Sequence, residues 1–217
     1  MDNEDLRVAV YRAFAEGRTP TVAGLAAELG TLQDSVRTGL FSLANARHVV
    51  LRGNDIVMAH PFASVPFGFS VMGRDRLWYG GCSWDSFAIA HLLPKHGPML
   101  VATTCPACGR PHAWNVDDQE PPAGEEIAHF LVPVSRMWEN VVHTCANQRI
   151  FCAEDCLDAW LQATGHQRGY VMDLTKLWKL ASRWYDGRLD HGYRRREPAG
   201  AANYFRSVGL EGPFWGL

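Results

Sequence analysis

Six cysteines divide the reactive side chains of this sequence into two kinds. Four fall in close pairs, Cys105 with Cys108 and Cys152 with Cys156, while Cys82 and Cys145 stand apart. Pairs at C-x2-C and C-x3-C spacing have the form of metal half-sites. Gly109 permits a tight turn after the first pair, and Phe151-Cys152-Ala153-Glu154-Asp155-Cys156 resembles short treble-clef-like zinc motifs. Four thiolates complete a closed tetrahedral shell for structural zinc. Reduced thiols packed in a core, or a redox pair, are the other readings. His91, His96 and His112 are further potential ligands that could replace a thiol.

The unpaired cysteines point to different chemistry. Cys82-Ser83-Trp84-Asp85 follows Gly80-Gly81, where a helix is expected to begin. Free backbone N–H groups and the helix dipole favour a thiolate at such a start. The i, i+3 spacing puts the Asp85 carboxyl on the same face as Cys82. A carboxylate raises the pKa of a neighbouring thiol, so the pair suits a nucleophile less well than a thiol beside a proton carrier. No histidine is placed by the sequence to form a cysteine-protease-like dyad, with His91 and His143 left open as partners. The alternative is that Cys82 is a small buried hydrophobe and Asp85 merely complements the dipole.

The elements that must position these residues follow from periodicity and turn signals. Residues 4–16 show helical spacing, a second helix follows Thr19-Pro20-Thr21, and residues 34–47 read as a third. Two apolar runs, 48–51 and 56–59, flank a turn and suggest a β-hairpin. Three helices and a hairpin make a winged-helix-like arrangement over residues 1–60. The candidate recognition helix, residues 33–46, carries Asp34 and Arg37 but no basic cluster, which argues against nucleic acid as a partner. His60-Pro61 and Pro66 read as a linker. Short strands are expected at 67–71, 76–79, 99–104, 112–116, 127–134 and 149–151. Helices are expected at 82–93, 154–164, 174–184 and 199–208.

The chain has 217 residues, 47% of them hydrophobic and 20% charged, with a formal net charge of −2. That balance gives no general electrostatic reason to bind nucleic acid or an anionic membrane. No apolar run reaches the roughly 20 residues needed to span a bilayer. The acidic start, Met1-Asp2-Asn3-Glu4-Asp5, lacks the order of a secretory signal, so a cytoplasmic location is expected. In a reducing compartment, clustered cysteines are read as metal ligands or reactive thiols rather than disulfides. Trp84 is expected in the core or on a pocket wall, and Arg194-Arg195-Arg196 as solvated surface.

Three segments together resemble the alkylmercury (organomercurial) lyase family. Leu77-Trp78-Tyr79-Gly80-Gly81-Cys82-Ser83-Trp84-Asp85-Ser86 is similar to that family's first active-site segment, with a cysteine and an aspartate three apart after an aromatic strand. Thr144-Cys145-Ala146-Asn147-Gln148-Arg149-Ile150-Phe151 resembles the second, and Thr103-Thr104-Cys105 an intervening one. The likeness runs over roughly residues 18–185. It implies an α+β fold: a winged-helix-like N-terminal domain (1–60), a mixed α/β lyase-type domain with short strands and helices (61–190), and a C-terminal extension (191–217). It also implies the roles. Cys82 and Cys145 would grip the mercury of an organomercurial, and Asp85 would protonate the departing carbon. No organic cofactor is then needed, and cellular thiols or a mercury-accepting protein would remove the metal. Soft mercury(II) prefers thiolates, which fits these residue types. The four-cysteine set departs from the family prototype and suggests a zinc-stabilised branch. Two alternatives remain open: a repurposed homologue acting on another small organic compound in specialised metabolism, and a metal- or redox-responsive regulator using the winged helix on DNA.

Overall fold

A computed structural model describes residues 2–217. Three helices open the chain: α1 (Asn3–Ala15), α2 (Val22–Glu28) and α3 (Gln33–Asn45). Asp2 and Thr21 cap the first two, accepting from the N–H groups of Glu4 and Gly24. Strands β1 (Val50–Arg52) and β2 (Asp55–Ala59) form the expected hairpin. On α3, the Arg37 guanidinium is paired with Asp34 at 2.7 Å, so it adds no free cation to that helix.

His60-Pro61, expected as a linker, is instead a tight connection inside a sheet. The β2 strand pairs with β3 (Phe62–Ala63), and β3 pairs with β5 (Leu77–Gly80). The sheet continues through β4 (Phe69–Met72), β6 (Met99–Thr104) and β7 (Pro111–Val116), every neighbouring pair antiparallel, in the order β1-β2-β3-β5-β4-β6-β7. The apolar residues of β2 and β3 are buried, because both strands lie inside the sheet and join the core. One apolar cluster accordingly runs from Leu6 on α1 through Phe62 and Phe87 to Trp215 near the C-terminus.

The helix that carries Cys82 lies at the centre. Helix α4 (Ser83–Leu92) is buried over Ser83 to Ala90 without a polar face, the pattern of a helix enclosed on all sides. It packs on β3, β4, β5 and β6 and against α7 (Leu174–Ser182). In α7, Leu174, Leu177, Leu180 and Ala181 form the buried stripe, and Asp173 caps the start. The expected helix of residues 174–184 is therefore two residues shorter, and Tyr185 stands in the turn beyond it.

A second sheet, β10 (Tyr170–Asp173), β8 (Ile127–Phe130) and β9 (Gln148–Phe151), lies beside the first. The strand expected over 127–134 stops at Phe130. Helix α5 (Val141–Ala146) precedes β9, and α6 (Glu154–Thr164) follows it. Phe151 and Leu157 form a small separate apolar cluster with Cys105. The chain ends in α8 (Pro198–Ser207) and a short turn, Pro213–Trp215, whose Phe205 and Trp215 are buried. Among the described residues no helix is long and apolar enough to cross a membrane.

Candidate functional site

Cys82 is the N-cap of α4, and the Asp85 backbone N–H donates to its sulfur at 3.4 Å. Gly80-Gly81 is what lets the chain enter this helix so closely. A side-chain carbon at Gly80 would collide with Ser86, and one at Gly81 would stand 2.6 Å from Asp85 Oδ2 and 3.7 Å from Cys145 Sγ. Cys145 arrives from the other direction, in the last turn of α5. Asn140 caps that helix, and the Thr144 hydroxyl, donating to the Met137 carbonyl at 2.9 Å, holds it down. Cys82, Asp85 and Cys145 are thus brought together, and all three are buried.

Two residues that the sequence reading did not single out complete the group. The Tyr185 hydroxyl donates to Asp85 Oδ1 at 2.5 Å. The His60 Nε2 lies 3.3 Å from Cys145 Sγ and 3.9 Å from Asp85 Oδ2. The imidazole partner is therefore His60, not His91 or His143. His91 packs edge-on against Trp178, and His143 interacts with Asn147. Arg188, itself buried, supports the arrangement by donating from Nε to the His60 carbonyl at 3.2 Å.

Electrostatics distinguish the two thiols, in the opposite sense to the one the helix start suggested. Burial pushes the Cys82 thiol well above its ordinary range, and Cys145 and Asp85 push it further, overriding the single N–H that favours its thiolate. Cys145 is instead pulled down to about 7, first by the Cys82 thiol, against burial, and then by His60. The end of α5 offers no dipole help to an anion there, so these side chains account for the shift. His60 is raised: burial alone would lower it, but Asp85 and Cys145 outweigh burial. Burial raises the Asp85 carboxyl, and its Oδ2 has no hydrogen-bond partner. The group therefore contains one readily ionised thiol, one thiol that retains its proton, and a carboxyl with a free oxygen able to take and give one. These atoms line a cavity of about 570 Å³, with Trp84, Trp138, Phe205 and Trp215 among its apolar walls. Trp84 serves both expected roles, since it also stacks against Phe130 in the core.

The other four cysteines converge elsewhere. Cys105 and Cys108 occupy the turn between β6 and β7, where Gly109 has a φ of +73° that glycine adopts freely. Cys152 ends the path out of β9, and Cys156 stands in the first turn of α6. Arg149 ties the halves together, donating to the carbonyls of Phe67 at 3.0 Å and Thr104 at 3.5 Å. All four sulfurs lie within 4.8 Å of one another, with Cys108 and Cys152 at 3.5 Å. A zinc ion bound at about 2.3 Å sets tetrahedral sulfurs about 3.8 Å apart. The donor set and its size fit zinc. Backbone N–H groups of Cys108, Cys152 and Ala107 face the Cys105 sulfur and favour its thiolate against the cost of burial. His112 stands beside this group: its Nε2 is 3.3 Å from Cys152 Sγ and its Nδ1 is 3.0 Å from Glu126. His96 lies away from it, near Asp75 and Trp78.

The sequence profile described as alkylmercury lyase matches residues 62–186, more than half of the 217. No curated protein matches the chain. Among solved structures, the crystal structure of the mercury-bound form of MerB2 is similar in fold, with a TM-score of 0.63 at 16% identity. That likeness covers 85% of this chain and 91% of the other.

Proposed function

This chain belongs to the alkylmercury lyase family and is a lyase of the carbon–mercury-cleaving kind, and from that premise we propose how its residues divide the reaction. Cys145, the thiol pulled down to about 7, attacks the mercury of R–Hg–X as a thiolate and displaces X⁻. His60 holds that thiolate through its ring N–H. Cys82 arrives protonated; as its sulfur joins the mercury its proton passes to Asp85. Asp85 delivers that proton to the carbon as the carbon–mercury bond breaks, and the bond's electron pair becomes the new C–H bond. The products are R–H, X⁻ and mercury(II) held by both cysteine sulfurs. Two external thiolates, or a mercury-accepting protein, then exchange the metal away and the Cys82 thiol regains a proton.

The observation that carries this reading is the difference between two thiols that share one buried cavity with a carboxyl whose second oxygen is uncommitted. Tyr185 fixes Asp85 through its other oxygen, leaving the free one beside Gly81, where the chain has no side chain to block it. The test is incubation with methylmercury or phenylmercury and excess thiol, following methane or benzene. Release of the hydrocarbon is expected. Folded protein that releases neither overturns the mercury reading in favour of another small organic substrate.

Cys105, Cys108, Cys152 and Cys156 are proposed to hold one structural zinc. Four thiolates close its shell, so it stiffens the β6–β7 turn against α6 and takes no part in the reaction. None of the six cysteines is in a disulfide, and a reducing, cytoplasmic setting is proposed for the chain. Residues 1–60 act here as cover: Ala46, Arg47 and His60 belong to the cavity wall.

A further inference from the structure

The cavity wall holds more positive charge than the proposed reaction uses. Arg47, Arg188, Arg195 and Arg196 all line it, and none is ion-paired with a carboxylate among the described residues. Against them stand Glu197, exposed at the rim, and the buried Asp85 at the reacting end of the cavity. Arg188 is only 4% exposed, and its buried Nη1 has no hydrogen-bond partner among the described residues. A buried guanidinium N–H without an acceptor is costly, and its uncompensated charge favours an anion in the adjoining cavity. The Arg188 Nε donates to the His60 carbonyl, and the guanidinium also lies over Tyr193 at 4.7 Å and Tyr185 at 5.1 Å.

Arg195 is held in a comparable way. Its guanidinium lies 4.6 Å from the centre of the Trp138 ring, and its Nη1 donates to the Arg47 carbonyl at 2.8 Å. That leaves the remaining edge of the fork free. The N-terminus of the ten-residue helix α8 also opens onto the cavity through Glu197 and Pro198, and no side chain caps it. The same walls carry the aromatic side chains Trp84, Trp138, Trp184, Phe205 and Trp215. Such a cavity suits an apolar or aromatic body that carries a negative group, and planar guanidinium forks match carboxylates best.

We propose that this site selects organomercurials bearing a carboxylate, received by Arg195 and favoured by the buried charge of Arg188 in the wall. The carboxylate sits either on the organic group or on the exchangeable thiolate bound to mercury. This rests on the lyase reading above and specifies its substrate class. Arg195, expected from the sequence to be solvated surface, is on this account a specificity residue.

The test compares phenylmercury with 4-carboxyphenylmercury, each supplied with mercaptoethanol or with 3-mercaptopropionate. A charge-assisted pair of this kind is expected to raise kcat/KM about tenfold, mainly through KM. A gain with the carboxylated aryl group assigns the anion to the organic part, and a gain only with mercaptopropionate assigns it to the thiolate. The ratio between charged and neutral substrates should collapse toward one in Arg195→Gln and survive only in part in Arg195→Lys, which keeps the charge without the planar fork. A ratio is read within each sample, so loss of folded protein does not mimic the result. A wild-type ratio of one, or a ratio unchanged in Arg195→Gln, overturns the proposal. Should no substrate be cleaved, the lyase reading fails, and tryptophan fluorescence with benzoate against benzyl alcohol still decides the anion site. Tighter binding of benzoate, lost in Arg195→Gln, supports it, and equal binding refutes it.

Discussion

The molecule holds two groups of sulfur atoms whose surroundings differ in one decisive way. The four-cysteine group brings four sulfurs within 4.8 Å of one another, and backbone N–H groups at Cys105 favour a thiolate. The two-cysteine group has a missing side: its sulfurs face a cavity, and one of them retains its proton. A closed shell holds a metal permanently. An open pair can take a soft metal from one ligand and surrender it to another. Thiols do not determine which of these happens; the number of neighbours and the fate of one proton do.

The sharpest break in that comparison is removal of a thiol from the open pair. Cys82→Ser and Cys145→Ser should each lower turnover of phenylmercury by at least about a thousandfold, since residues that act as one unit fail together. Zinc content, by elemental analysis, should stay near one equivalent in both. Retained turnover in either variant contradicts the division of labour. The converse change acts on stability. Cys105→Ser or Cys156→Ser should lose the zinc and cost more than about 3 kcal/mol in denaturant unfolding, because metal binding at such a shell is folding free energy. Unfolding that does not respond to a chelator would show that the group is packed thiol instead.

A smaller effect separates metal capture from bond cleavage within the open site. Asp85→Asn keeps the shape of the side chain but cannot carry the proton. Turnover should fall about a hundredfold, a typical contribution of general acid catalysis. Stoichiometric capture of phenylmercury by the thiols should persist without benzene release. Benzene released at the normal rate would remove Asp85 from the proton path.

Much of this arrangement was legible in the residue order, for physical reasons that also mark where legibility ended. The Gly80-Gly81-Cys82 helix start, the i, i+3 spacing of Cys82 and Asp85, and the two short-spaced cysteine pairs are local, and local spacing fixes local geometry. The helix over 154–164 shows the same. His60 was not legible: in sequence it looked like part of a linker, and only the pairing of β2 and β3 turns it toward Cys145, 85 residues away. Tyr185 is 100 residues from Asp85 and has no motif of its own. Arg195 reads as a surface charge run until α8 and the terminal tryptophan fold back over the cavity. The reversal between the two thiols was hidden for a further reason. A helix start favours a thiolate at Cys82 by a modest amount, and burial beside Asp85 opposes it by more.

That reversal gives the finest test of the comparison. If Cys145 is the first nucleophile, kcat/KM should rise as pH passes about 7, where its thiolate forms, and the same midpoint should govern its alkylation by iodoacetamide. His60, itself raised by Asp85 and Cys145, contributes to that low value through its charge and through the contact of its Nε2 at 3.3 Å. In His60→Asn the charge is gone, so the thiol should titrate at higher pH. A shift of one unit makes the thiolate about tenfold scarcer below its pKa, and kcat/KM at neutral pH should fall by that factor. The loss should disappear at alkaline pH, where Cys145 ionises without help. A merely structural role for His60 would lower the rate equally at every pH and leave the midpoint in place. Titration of Cys145 unchanged in His60→Asn would return the low value to the Cys82 thiol alone.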